Sequence, residues 1–366
     1  MDERSEGKGA ARWFILLLPV IMLVDHLVTW VIAARVAGVP LTAALAHYDS
    51  SWYNTIINSG YSGSNWAFFP LFPGLAKLVQ SCTFGALQPQ VAGAMLSTVF
   101  FAIFCVTIAF VTRDRRAVDG LLAPRTAFGW FFLVYAPASF ILHSHHTEAL
   151  FLLLSFAAFL FASSGKWLQA GVFAGLCCLT RIQGCFVLTA VSFAAIIAEG
   201  SAGRRLRNVA IVVATALPLA AIFPVWQYLA AGNALACMSS QAEWNHPTST
   251  IPIYFKTFLL ANPWQNHNVG SLLHHAFFFA MLFALWLMGR KSWVLSLYVL
   301  LSLVIMPAQG ELVNAFRFGT VLFPVLYVLG DKIGGWSAWI KIPAAVCIVV
   351  LNHWVAVNYI LNHWAY

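Results

Sequence analysis

Residues 13–36, WFILLLPVIMLVDHLVTWVIAARV, form an apolar run long enough to cross a lipid bilayer, and such runs recur along the chain. A spanning helix needs about 20 predominantly apolar residues. These runs are 13–36, 91–112, 124–142, 147–163, 167–181, 184–199, 207–231, 271–288, 292–307, 315–330 and 340–360. They lack the alternation of membrane β-strands, and a bilayer accepts only helices or closed barrels. The sequence therefore predicts an all-α polytopic membrane protein with about eleven transmembrane helices.

The composition agrees with this class of protein. Hydrophobic residues make up 61% of the chain and charged residues 9%, whereas soluble domains have about 45–50% and about 25%. The net charge of +8 comes from basic residues scattered between apolar runs. This distribution is typical of the basic loops that set the orientation of a protein in a lipid bilayer, and it does not indicate a nucleic-acid partner. The seven cysteines are scattered and predict no disulfide framework. Residues 1–366 are interpreted as a single transmembrane domain.

The distribution of Lys and Arg predicts the orientation, because cytoplasmic loops are enriched in them. A cytoplasmic N-terminus places most of the 20 basic residues inside: Arg4, Lys8, Arg12, Arg113, Arg115, Arg116, Arg125, Lys166, Arg204, Arg205, Arg207, Arg290, Lys291, Lys332 and Lys341. The first run is too long for a signal peptide and is expected to remain as an anchor. Two outer segments are long, 37–90 and 232–270, and we expect them to wall an extracytoplasmic site.

The first outer loop contains HYDSSWYNTIINSGY (47–61) and NWAFFPLFPGLAKL (65–78). Pro70 and Pro73 prevent a spanning helix, so the loop is expected to carry short interfacial helices. Its aromatic side chains are expected at headgroup depth: Trp66, Phe68, Phe69 and Phe72. A helix over 50–59 would give Asp49 or Ser50 a structural role as its N-cap.

These two stretches resemble the first outer loop of the PIG-V family, the mannosyltransferases that add the second mannose of glycosylphosphatidylinositol anchors, and of their shorter bacterial relatives. HTEALF (146–151), LTRIQG (179–184) and FRFGTVLFP (316–324) are similar to later segments of that family, in the same order. The chain departs from the family conservatively at Tyr48, where Trp is usual. It also departs at His146 and at Ile182-Gln183, and these two departures bear on the acceptor more than on the reaction.

The resemblance implies a GT-C-type helical bundle and an inverting glycosyltransferase. The donor would be a sugar, mannose in the family, on a polyprenyl phosphate, and the acceptor a hydroxyl of a glycolipid or glycan. The reaction would lie on the extracytoplasmic face of a bacterial inner membrane, or of the endoplasmic reticulum in a eukaryote, and would need no cofactor. A polytopic transporter or lipid flippase is the alternative, which inverted repeats would favour; the sequence shows no convincing internal repeat.

The charged residues of these stretches suit such a transfer. The acceptor hydroxyl loses its proton as it attacks, and Asp49 is the candidate general base. Inversion places the base on the face of the sugar opposite the leaving group. Arg181 and Arg317 are candidates to bind the donor phosphate, because guanidinium matches phosphate in geometry and charge. Each Arg is alternatively an anchor whose charge reaches the membrane surface.

Further residues are candidates for substrate binding: His47, Trp52, Tyr53, Phe69, His146 and Glu148. Glu148 has two other interpretations, as a helix N-terminal charge or as the partner of Arg181. The group His143, His145, His146 and Glu148 resembles a metal site on paper, but adjacent histidines diverge on a helix, so no metal is expected. Glu243 and His274-His275 are possible donor or acceptor contacts.

Asp25 and His26 lie near the middle of the first predicted span. Ionisable groups at this depth are either functional or paired between helices. We interpret this pair as structural, holding the first helix to its neighbours.

Overall fold

A computed structural model of the chain describes residues 3–111, 122–242, 269–306, 312 and 314–363. Within these ranges the regular structure is helical and includes no β-strand. The α-helices are α1 (Glu3–Ala37), α2 (Leu41–Ala44), α3 (Asp49–Ser59), α4 (Leu71–Cys82), α5 (Pro89–Val111), α6 (Ala127–Val134), α7 (Glu148–Ser163), α8 (Trp167–Cys178), α9 (Gly184–Ile197), α10 (Ala202–Ala231), α11 (Ala236–Ala242), α12 (Val269–Met288), α13 (Trp293–Ile305), α14 (Ala315–Thr320), α15 (Phe323–Gly334) and α16 (Ala338–Ile360). The prediction of an all-α fold is confirmed.

Four helices in the described ranges are long and apolar enough to cross a membrane: Trp13–Ala37 of α1, α5, α10 and α16. The other apolar helices, α7, α8, α9, α13 and the described part of α12, have 10–17 residues, fewer than the roughly 20 that a spanning helix needs. The fold is therefore that of an all-α protein suited to a bilayer. Each of the eleven predicted runs contains helix in its described part, but the helix lengths do not establish about eleven spans.

Two predicted helices are each divided in two. The run 124–142 contains α6 and a 3-10 turn at Ser139–His143, and Pro137 lies between them. The run 315–330 contains α14 and the start of α15, and Pro324 occupies the first turn of α15. Proline has no backbone N–H to donate and disfavours helical backbone in the residue before it. The second break leaves Arg317 on a helix of six residues.

The two halves of the chain are joined by a close contact between α6 and α15. A Cβ atom on Gly330 would lie 2.6 Å from the Cα atom of Gly129, so the two helices touch backbone to backbone. Asp331, at the end of α15, accepts hydrogen bonds of 2.8 Å from the backbone N–H groups of Arg125 and Thr126. These bonds satisfy donors at the start of α6 that have no partner within the helix.

The centre of the fold consists of α7, α8 and α9, which are joined by short turns and pack on one another. The side chains of α7 are largely buried, since this helix packs against α5, α8 and α9. Short connections make successive helices antiparallel, so the start of α7 and the end of α8 lie at one end of the group. The end of α7 and the start of α8 lie at the other end.

The first outer loop contains short helices, as the sequence predicts: α3, a 3-10 turn at Gly63–Ala67, and α4. Its aromatic side chains were expected to face the membrane interface. Trp66, Phe68 and Phe72 are instead buried in the protein. The physical reason is that α3 and α4 pack on α5, and Trp66 joins a buried cluster with Phe223 of α10. These rings therefore contribute to the core.

Candidate functional site

Four charged side chains from distant parts of the chain meet in one ion-pair network. Arg317 Nη1 lies 2.5 Å from Asp49 Oδ2, and Arg317 Nε also donates to Glu148 Oε1. Glu148 Oε1 is shared with Arg181 Nη1. Asp49 begins α3, Glu148 begins α7, Arg181 follows α8, and Arg317 lies on α14. The order Asp–Arg–Glu–Arg alternates in sign, so the network carries no net charge when all four groups are ionised.

The network is graded in exposure. The Glu148 side chain is fully buried, those of Arg181 and Arg317 are about one-tenth exposed, and that of Asp49 is 21% exposed. A buried carboxylate is costly unless it is paired and hydrogen-bonded, and Glu148 has two guanidinium partners. Asp49 is the most accessible member of the network.

Neither acid acts as a helix cap. The N-cap residue of α3 is Tyr48 and that of α7 is Thr147, and no side-chain capping hydrogen bond is formed at either end. Tyr48 has φ +51°, a region that costs a non-glycine residue about 1–3 kcal/mol. The helix that presents Asp49 is thus entered through a strained residue. Asp49 is therefore not the N-cap that the alternative interpretation required, whereas Glu148 lies in the first turn of α7 as an N-terminal charge and is also paired with arginine.

Arg181 is held by several groups besides Glu148. Its Nη1 donates to Thr147 Oγ1 and its Nε to Gln183 Oε1, both at 2.9 Å, and the guanidinium lies 5.5 Å from the centre of the Phe318 ring. These contacts fix the guanidinium plane. Sequence reasoning noted Gln183 only as a departure from a family pattern; its amide in fact positions the arginine two residues before it.

The helix that carries Asp49 is held by hydrogen bonds to the segment 145–146 and to α16, which together form one wall of the site. Ser50 Oγ donates to the carbonyl of His145 at 2.9 Å and lies 3.1 Å from the Tyr359 hydroxyl. Ser97 Oγ donates to the carbonyl of His146 at 3.0 Å. Tyr359, on α16, was missed by the sequence analysis; its hydroxyl also donates to the carbonyl of Leu45. The available signal in the sequence was Asn358-Tyr359, two neighbouring polar residues in the apolar C-terminal run.

Two predicted substrate-binding residues lie in the interior beside the network. Tyr53 is 3% exposed and packs edge-on against Phe68, Phe72 and the His145 ring. His146 is buried, with Nδ1 2.7 Å from Ser144 Oγ. Both side chains support the wall of the site.

The other three predicted substrate-binding residues are half-buried. His47 Nδ1 lies 2.8 Å from the carbonyl oxygen of Tyr359, Trp52 stacks on Phe68, and Phe69 packs against Phe223. Each retains partial exposure in the outer loop. Trp52 lies one helical turn after Asp49 and is thus the aromatic residue nearest to it along α3.

The three clustered histidines are buried. Burial lowers the pKa of His145 to about 3, and neither of its ring nitrogens has a hydrogen-bond partner among the described residues. Burial, reinforced by the charge of Arg317, also holds the pKa of His146 well below its usual value. Both imidazoles are therefore neutral. Among the described residues, no group of three or more His, Cys, Asp or Glu is arranged to hold a metal ion.

Asp25 and His26, in α1, both contact α16. Asp25 Oδ1 lies 3.1 Å from His353 Nε2, and His26 Nε2 lies 2.6 Å from Asn352 Oδ1. The Tyr135 hydroxyl also donates to Asp25. The pair thus joins the first helix to the last, which is the arrangement that the structural interpretation requires.

The second long outer loop is described only in part. Its first helix, α11, packs on the 3-10 turn at 63–67. Residues 243–268 lie outside the described residues, and so does the prediction that Glu243 contacts a substrate. His274 is buried, with its ring centre 4.0 Å from that of Phe316, so it packs against the helix that carries Arg317.

The fold and the network define an all-α, membrane-suited protein with a buried, charge-balanced ion cluster at one end of α7–α9. Comparison of the chain with protein-family models, curated proteins and solved structures found no match.

Proposed function

We propose that the chain is an inverting glycosyltransferase of the GT-C class, related to the PIG-V family. It would move a sugar, mannose in the first instance, from a polyprenyl-phosphate carrier to a hydroxyl of a glycolipid or glycan acceptor. Its apolar helices would form a bundle of about eleven membrane segments. The reaction would take place on the extracytoplasmic face of the membrane, a bacterial inner membrane on the strength of the resemblance.

One observation carries this proposal. Four of the five stretches that resemble the PIG-V family contribute one charged residue each to a single cluster, although they are far apart in the chain: Asp49, Glu148, Arg181 and Arg317. A resemblance in sequence and a convergence in space are independent facts. Their agreement favours a common site over four unrelated surface charges.

The proposed chemistry requires Asp49 and Arg317 to separate. The base and the leaving group lie on opposite faces of the sugar in an inverting transfer, whereas these two side chains are in contact at 2.5 Å. A donor phosphate brings negative charge into a cluster that is already balanced, so it competes with Asp49 for Arg317. Donor binding would thereby release the Asp49 carboxylate, which is then available to accept a proton.

In the proposed transfer, the proton and the electron pair of the broken bond each have an acceptor. The acceptor O–H gives its proton to the Asp49 carboxylate as its oxygen forms a bond to the anomeric carbon. The bond from that carbon to the phosphate oxygen breaks, and its electron pair leaves with the polyprenyl phosphate. Arg317 and Arg181 stabilise the charge that develops on the phosphate. Glu148 keeps both guanidiniums in position from its buried place beneath them.

The test is an incubation of the purified full-length protein with synthetic polyprenyl-phosphomannose and a pool of glycolipid acceptors. The measured quantity is released polyprenyl phosphate. We expect release by the wild type and by Glu199→Gln, a carboxylate variant remote from the cluster, and a loss of about 10²–10⁴-fold in Asp49→Asn. A transporter or flippase would move the lipid intact. Equal release by Asp49→Asn and wild type would overturn the assignment of the base.

A further inference from the structure

A second polar site lies at the opposite end of α7–α9. It is a cavity of about 670 Å³, within the range of about 300–1,000 Å³ that is usual for small-molecule sites. The helix α7 has 16 residues, which corresponds to about 24 Å at 1.5 Å per residue, and it separates Glu148 from this cavity. The lining includes Ser163, Trp167, Ile197, Arg204, Arg207 and Asn208.

The cavity has an excess of positive charge. Arg204 and Arg207 are three residues apart on α10 and both line it, so they lie on one helix face. Among the described residues, no carboxylate lies within ion-pairing distance of either guanidinium, although Glu199 also lines the cavity. Arg205 differs from its neighbours, because its Nε donates to the carbonyl of Ala198 and it does not line the cavity.

Trp167 and Asn208 form a hydrogen-bonded pair in the lining, and two helix starts add to the positive environment. Asn208 is 5% exposed, and its amide oxygen, in the orientation that satisfies both its atoms, accepts from Trp167 Nε1 at 3.1 Å. The helices α8 and α13 begin at the cavity, the latter after its N-cap residue Ser292. Helix N-termini present unpaired N–H groups and a partial positive charge. The cavity is therefore suited to an anion.

The edge of the same cavity is apolar and open. Ile197 lines the cavity and is 47% exposed. Leu168, Leu206 and Trp293 do not line the cavity, but they are more than half exposed on the helices that do and add apolar surface at the same end of the protein. A soluble anion would gain no favourable contact with this apolar surface. A lipid, by contrast, would place its headgroup on the arginines and its acyl chains along these side chains.

We propose that this cavity binds the phosphate-bearing headgroup of an anionic membrane lipid. Basic pockets between membrane helices bind anionic headgroups on the cytoplasmic side, and the distribution of Lys and Arg predicts that this end of the protein is cytoplasmic. The inference does not depend on the proposed transfer reaction, because the cavity and the ion cluster lie at opposite ends of α7.

The test uses delipidated full-length protein in a non-ionic detergent, titrated with phosphatidylglycerol, phosphatidylcholine or inorganic phosphate. Bound lipid is measured by native mass spectrometry. We expect phosphatidylglycerol to bind in preference to phosphatidylcholine. Each of Arg204→Gln and Arg207→Gln should weaken its binding about fivefold, and both together about thirtyfold, from a contribution of about 1 kcal/mol per basic residue. The control Lys332→Gln removes an exposed lysine that does not line the cavity and should bind as the wild type does.

Three results would overturn the proposal: equal binding of the two lipids, unchanged binding by the double arginine variant, or displacement of phosphatidylglycerol by an equal concentration of inorganic phosphate. The last result would indicate a site for a soluble anion. Both arginines are exposed, so we expect the variants to fold. Hydrogen exchange on the wild type gives a second measurement, in which phosphatidylglycerol but not phosphatidylcholine should protect residues 197–208.

Discussion

Asp49→Asn is expected to bind the donor more tightly while transferring its sugar more slowly. The physical reason is competition: in the substrate-free protein Asp49 occupies Arg317 at 2.5 Å, and the donor phosphate must displace it. A hydrogen bond to a charged group contributes about 1.5–3 kcal/mol net. Because the Asp49 side chain is 21% exposed, we take the lower value, about 1.5 kcal/mol, which corresponds to about tenfold in Kd.

The assay is equilibrium binding of a non-transferable polyprenyl-phosphosugar analogue to purified protein, measured beside turnover of the natural donor. The matched control is Glu199→Gln, which changes the net charge by the same amount at the other end of α7. We expect about tenfold tighter binding in Asp49→Asn alone, together with the loss of turnover. If Asp49→Asn binds the analogue no better than the control does, competition for Arg317 is the wrong account of how the base is released.

Three further predictions concern the support of the cluster. Glu148→Gln should cost about 3–5 kcal/mol of stability, because it leaves two buried guanidiniums short of a partner; its Tm in detergent should fall well below that of Asp49→Asn, and equal Tm values would contradict the burial argument. Gly93→Ala should be destabilising, since its Cβ atom would lie 1.6 Å from His145 Nδ1, whereas Gly74→Ala, with open space around the same position, should keep or slightly raise the Tm. His145→Phe should flatten the acid dependence of stability: the folded-state pKa of about 3 lies below the unfolded value, so wild-type stability falls as the pH drops from about 6.5 towards 3, and an equally steep fall of Tm in the variant would refute this.

Most of the helices could be predicted from the sequence. A helix buried in a bilayer or a protein core consists of consecutive apolar residues, and such a run is recognisable without knowledge of the tertiary contacts. The breaks at Pro137 and Pro324 carried a local signal as well, since proline disfavours a continuous helix. The signal is not decisive, because α1, α10 and α16 each continue through at least one proline. Hydropathy alone overlooked these breaks because it averages over a window. Two predicted helices were too long for the same reason, whereas the number of spans stays a prediction.

The members of the ion cluster and the pairing of Glu148 with Arg181 could be proposed from sequence, but the contacts of Arg317 with Asp49 and Glu148 could not. Asp49 and Arg317 lie near opposite ends of the chain, and no local pattern indicates that α14 brings the guanidinium to α3. The expectation that Asp49 faces the phosphate from across the site was drawn from the reaction alone. The structure adds a direct contact between Asp49 and Arg317, which a charge pattern in sequence does not contain.

The residues that support the ion cluster give a weaker signal in the sequence. Gln183 acts through a hydrogen bond from Arg181, two residues before it, and Tyr359 acts through a contact with Ser50, which is 309 residues away in the chain. A glutamine or tyrosine in an apolar sequence is compatible with many surroundings. Only the three-dimensional arrangement separates a positioning role from a place at the membrane interface.

The most direct test of the central claim is the position of the donor phosphate in a structure of the protein bound to a polyprenyl-phosphosugar analogue. The account predicts phosphate oxygens within hydrogen-bonding distance of the Arg317 guanidinium, with the Asp49 carboxylate moved away from that guanidinium and facing the anomeric carbon. A phosphate bound elsewhere, for instance at Arg204 and Arg207 at the other end of α7, with the Asp49–Arg317 pair intact, would contradict it.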